Sequence, residues 1–85
     1  MAASRRMSQP ERVLASLGST LGEIRRERKL TQEALSLSTG VHRNYIGGIE
    51  RGERSPTVAI VAVLADALGV SLADLFGRAE RMARR

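Results

Sequence analysis

The sequence contains no cysteine and no tryptophan, and only one tyrosine, one phenylalanine and one histidine. Without cysteine there is no disulfide framework and no thiolate chemistry. With so few aromatic rings, single-stranded nucleic acid lacks the stacking platform it normally needs. The lone histidine, His42, has no cysteine or second histidine near it in sequence, so no metal-ligand spacing is present. No nucleophile–histidine pairing by motif and no Gly-rich phosphate loop appears either. The chain is therefore expected to be no enzyme and to need no cofactor, metal or small-molecule ligand. Long apolar runs are missing too. The longest, Val58–Ala65, is far too short to span a bilayer. Arg5-Arg6 has no apolar run behind it, so no secretory signal is read there. No membrane partner is expected.

Acidic residues are outnumbered. There are 14 Lys+Arg against 9 Asp+Glu, a formal net charge of +5, and all but one of the cations is arginine. Such a balance on one small domain suits a polyanionic partner. Eighty-five residues enclose only a modest core, so association with a second copy would add stability.

No period-two alternation marks a strand, and no repeat is present; the pattern is all-α with five helices. Residues 1–8 read as a mobile arm, 9–77 as the domain and 78–85 as a basic tail. Ser8-Gln9-Pro10-Glu11 has the form of a capping box. Leu14, Leu17, Leu21 and Ile24 then recur at helical spacing, predicting helix 1 over 10–28. Gly18 and Gly22 weaken it by roughly 1 kcal/mol each, which implies a close approach or a break near Gly18. Thr57 caps a fourth helix running to Leu68, with Gly69 as its stop. That helix is apolar nearly all round and should be covered on several sides, by the N-terminal extension or a second subunit. Ser71-Leu72-Ala73-Asp74 is a second capping-box form and opens the fifth helix.

The chain centres on Thr31–Arg51, TQEALSLSTGVHRNYIGGIER. Thr31 is a good N-cap, and Glu33 puts negative charge in the first turn. Gly40 sits where a residue able to take positive φ is needed between two short helices, over 32–38 and 42–50. In the second, Val41, Ile46 and Ile49 point one way while His42, Arg43 and Asn44 point out. Such an α-turn-α unit can set a polar helix end in a DNA major groove. Gly47-Gly48 costs this helix roughly 2 kcal/mol of propensity, so close backbone approach is expected there.

Residues Leu17 to Phe76 resemble the phage-repressor and Cro-like helix-turn-helix family, also called the xenobiotic-response-element family. Leu21, Ile24-Arg25, Leu30-Thr31-Gln32-Glu33, Leu35, Gly40-Val41, Tyr45-Ile46, Ile49-Glu50-Arg51-Gly52, Pro56 and Ala65-x-x-Leu68-Gly69-Val70-x-Leu72 carry the resemblance in one register. It implies a five-helix, lambda-repressor-like domain with the helix-turn-helix at helices 2 and 3. It also implies a transcriptional regulator that binds double-stranded DNA as a homodimer on a palindromic operator, in the bacterial cytoplasm at the nucleoid. An antitoxin-type module that grips a second protein is the alternative.

The resemblance assigns base reading to Arg43 and Asn44, with His42 adding a contact. Arginine suits guanine O6 and N7; asparagine suits adenine N6 and N7. Gly48 falls where phage repressors often carry a third reader and has no side chain to offer. Gln32, Tyr45, Arg51, Arg54, Ser55 and Thr57 are expected to position phosphates. Arg25 and Glu50 align with an ion pair tying helix 1 to helix 3. Ile60, Val63, Val70, Leu72 and Leu75 are the expected dimer face, with some of them to be taken by the monomer core, and Val13 and Leu14 are a second candidate.

Overall fold

Ser8 opens the first helix with a closed capping box. Its hydroxyl accepts from the Glu11 N–H at 3.3 Å, and its own N–H donates to the Glu11 carboxylate at 2.9 Å. The structure is a computed structural model that describes residues 7–84. Most of the expected N-terminal arm, residues 1–6, lies outside that range, as does residue 85. The box opens α1, Gln9–Glu27, which runs unbroken through Gly18 and Gly22. It closes on Lys29, the one non-glycine residue of positive φ (59°) among those described. The next helix is α2, Gln32–Thr39, capped by the Thr31 hydroxyl and stopped at Gly40 with φ 78°. Then come α3, Arg43–Glu50, and α4, Val58–Leu68. Thr57 caps α4, and Gly69 ends it in the left-handed region at φ 71°. Last is α5, Leu72–Ala83, where Ser71 accepts from the Asp74 N–H, one half of the expected box.

One apolar core joins all five helices. Leu17, Leu21 and Ile24 of α1 meet Leu35 of α2 and Ile46 and Ile49 of α3. Val61, Leu64 and Leu68 of α4, with Leu75 and Ala79 of α5, complete it. Burying each aliphatic side chain contributes about 1.5–3 kcal/mol. Because α1 and α5 pack along each other, the α2–turn–α3 unit is left with one outward side.

Several expectations change. Leu75 is 0 % exposed and belongs to this core, so it is unavailable to a dimer face. It faces inward because Leu72, Leu75 and Ala79 follow helical spacing from the Ser71 cap, and the last two turn toward α1. Ile60 and Val70 also rest against the core, whereas Val63 and Leu72 stay exposed. The N-terminal part of α1 does not cover α4: Val58 remains 71 % exposed. Residues 78–83, set apart above as a tail, continue α5. Arg78 reaches back to α1, donating to Glu23 at 3.2 Å and to Glu27 at 3.1 Å. The hydrogen bond from Arg78 holds the Glu27 carboxyl below its ordinary pKa. Its small stabilisation is therefore present above the usual carboxylate range and is lost as the pH falls.

Gly18 is a point of close approach. A Cβ there would collide with the Ile49 carbonyl oxygen of α3, and backbone cannot step aside as a flexible side chain can. Gly18→Ala should therefore destabilise the domain although it raises helix propensity. Overpacking of this kind costs about 1–3 kcal/mol or more. Thermal unfolding followed by circular dichroism checks this: a lower melting temperature is expected, and an unchanged or raised one would show that α1 and α3 can separate freely.

Candidate nucleic-acid interface

The outward side of the α2–turn–α3 unit is built from caps. His42 does not belong to α3 but caps it, its Nδ1 accepting from the Asn44 N–H at 3.1 Å. This holds the imidazole at the helix entrance, and His42, Arg43 and Asn44 are all exposed. Behind them Ile46 and Ile49 are each 1 % exposed and anchor the helix to the core. The first turn of α3 thus shows only polar side chains to solvent. Glu33 of α2 stands beside it, its carboxylate 3.6 Å from the Arg43 guanidinium. Both groups are more than half exposed, so the pair is screened and readily exchanged for another anion.

Glu50, at the far end of α3, is held from two sides. Arg25 donates from Nε to Oε2 at 2.7 Å and from Nη2 to Oε1 at 3.1 Å. Gln32 donates from Nε2 to the same Oε1 at 3.0 Å. Arg25 also donates to the Leu30 carbonyl at 2.6 Å, so its fork ties α1, the α1–α2 connection and α3 together. The side chains of Arg25 and Glu50 are 11 % and 10 % exposed. Gln32, the expected phosphate contact, thus spends one of its two amide N–H groups on Glu50.

The remaining expected positioning residues surround α3. Tyr45 is half-buried against the core. Thr57 uses its hydroxyl as the α4 cap, accepting from the Ile60 N–H at 3.1 Å. Ser55 is exposed. Arg51 donates from Nε to Glu53 at 3.0 Å on the surface. The Gly47-Gly48 pair admits side chains, not another backbone as expected. A Cβ on Gly47 would meet the Arg51 guanidinium at 3.1 Å, and one on Gly48 would meet the stem of Arg54 at 2.5 Å. The segment after α3 thus folds back so that two arginines lie across the recognition helix. Nothing in residue spacing announced this, although two adjacent glycines in so short a helix signalled that something had to fit there.

Among the described residues no group of three or more His, Cys, Asp or Glu side chains is placed to hold a metal ion. No single described helix is long and apolar enough to cross a membrane. On α5 and the start of α1, the exposed Val13 and Phe76 line a groove together with the buried Ala79 and the half-buried Ala83.

Comparison with known proteins gives the same reading. The helix-turn-helix family model matches residues 21–75. An uncharacterised HTH-type transcriptional regulator, y4dJ of Sinorhizobium fredii, is 44% identical over 59 residues, covering 69% of this chain and 77% of that protein. The control protein C.SmaI of Serratia marcescens is 39% identical over 62 residues, covering 73% and 74%. Among solved structures, the restriction-modification controller C.Esp1396I, crystallised as a tetramer with its natural 35 base-pair operator, superposes with a TM-score of 0.79. It is 29% identical, and the match covers 86% of this chain and 96% of that one. An all-α fold, a polar helix end backed by a buried apolar face, and relatives of this kind together place the chain in the phage-repressor and Cro-like helix-turn-helix family of DNA-binding transcriptional regulators.

Proposed function

We propose that this regulator binds a palindromic operator as a homodimer in the cytoplasm, setting the first turn of α3 in the major groove of each half-site. Arg43 and Asn44 read base edges, with His42 beside them. The observation that carries this reading is the exposure of those three polar residues at the start of a helix whose opposite side is buried in the core. Arg43 exchanges its weak pair with Glu33 for a base. Tyr45, Arg51, Ser55 and Thr57 flank the groove and set the register on phosphates. At Gln32 the phosphate meets the N–H groups that open α2 and the amide N–H that Glu50 does not take.

Arg43→Ala tests the assignment. It should cost roughly 1–3 kcal/mol at a selected operator and relax preference at one base pair per half-site. Selection of bound sites from random duplex DNA, run in parallel for parent and variant, reads both. An identical sequence preference would place base reading elsewhere.

The dimer face we propose is the outer side of α4 and α5, where Val63 and Leu72 are exposed and Ile60 and Val70 form its half-buried base. A twofold axis there leaves both copies of α3 on one side, about 34 Å apart, one turn of DNA. Sedimentation equilibrium at micromolar concentration should give a dimer for the parent and a folded monomer for the Val63→Glu, Leu72→Glu double variant. A parent monomer, or a double variant that stays dimeric, contradicts this face.

A further inference from the structure

We propose that Arg54 is a base-reading residue, delivered onto the recognition helix through the notch left by Gly48. This rests on the DNA-binding reading above and changes the role expected for Arg54, from phosphate contact to specificity determinant. Asn44 and Gly48 are four residues apart on α3 and share one face of it. Whatever occupies the Gly48 position therefore stands one turn along the stripe that Asn44 begins. The occupant is Arg54. Its Cγ lies 2.5 Å, its Nε 3.5 Å and its Cβ 3.6 Å from where a Gly48 Cβ would be. The arginine stem thus takes the place of a helix side chain, and the guanidinium continues from it.

Two backbone bonds hold the stem there. The N–H groups of Glu53 and Arg54 both donate to the Gly48 carbonyl, at 2.8 and 3.2 Å. The loop is thereby fixed to the end of α3 before any ligand arrives, which lowers the ordering cost of binding. Arg51 spends its Nε on Glu53, but no ion pair or side-chain hydrogen bond engages the Arg54 guanidinium among the described residues. The Arg54 stem, through Nε, stands at the Gly48 position, on the helix face that Asn44 shares. The guanidinium fork matches guanine O6 and N7, so a G·C pair adjacent to the bases read by Asn44 is the expected target.

The test is selection from random duplex DNA with the parent, Arg54→Ala, Arg54→Lys and Gly48→Ala, each first checked for a cooperative thermal melt. Arg54→Ala should abolish preference at one base position per half-site, lowering discrimination there by roughly tenfold or more, while the position read by Arg43 persists. Arg54→Lys keeps the charge but not the fork, so it should keep the salt dependence of binding and still lose that position. Gly48→Ala favours the helix but pushes the stem aside, and should blunt the same position. An Arg54→Ala preference identical to the parent's, with every sequence weakened by one factor, overturns the proposal and leaves Arg54 a phosphate contact. An unchanged Gly48→Ala preference overturns the role of the notch. Failure of the parent itself to select any motif would instead strike the DNA-reading function on which this inference stands.

Discussion

Replacing Glu50 by alanine should unfold the domain or lower its melting temperature by at least about 12 °C. The carboxylate takes both arms of the Arg25 fork and the Gln32 amide. Arg25 and Glu50 are about nine-tenths removed from solvent, so little water can replace the lost partner. Removing one side of such a pair strands the other charge in the interior, at a cost of about 3–5 kcal/mol. For a domain of this size each 1 kcal/mol moves the melting temperature by about 4–8 °C. The neighbourhood is shaped for the pair. A Cβ on Gly22 would stand 3.3 Å from the Glu50 Oε1, and one on Gly47 would stand 3.5 Å from the Gln32 Oε1. Alanine therefore leaves a gap as well as an unpaired guanidinium. Glu50→Gln keeps the shape and a hydrogen-bond acceptor and should lose less. A Glu50→Ala melting temperature within a degree or so of the parent would mean that water reaches Arg25 and that the pair holds nothing together.

Helix ends were legible because caps are local chemistry. Ser8, Thr31, Thr57 and Ser71 each accept from the backbone N–H three residues on, a bond fixed by the chain segment that contains it. Gly40 and Gly69 stop their helices for the same local reason. The inward set on α1, Leu17, Leu21 and Ile24, followed from spacing alone. Tertiary partners did not. That Gly18 receives the Ile49 carbonyl depends on how α1 crosses α3, a distance of thirty-one residues along the chain. Leu75 stood among several apolar side chains at the start of α5, and only the angle of α5 against α1 decides which of them turns in. Arg78 had no sequence-local partner, since Glu23 and Glu27 lie at the other end of the domain's sequence. Around α3 the polar turn was readable from its caps and spacing. The folding back of Arg51 and Arg54 over Gly47 and Gly48 was not, because it depends on the course of the following loop.

Association with double-stranded DNA should be strongly salt-dependent. The chain carries 14 Lys+Arg against 9 Asp+Glu, a net charge of +5 that a dimer doubles, and Arg51 stands beside the recognition helix. Each phosphate neutralised releases condensed counterion and adds roughly 0.9 to the log–log slope of affinity against salt. With about six phosphate contacts per dimer, affinity should fall on the order of a thousandfold between about 50 and 200 mM salt. A fluorescence anisotropy titration of the purified protein against a labelled random-sequence duplex, repeated across that range, measures the slope directly. The account predicts tight binding at low salt and a slope of about −5 on the log–log plot. No binding at low salt, or an affinity that stays flat across the titration, would contradict it.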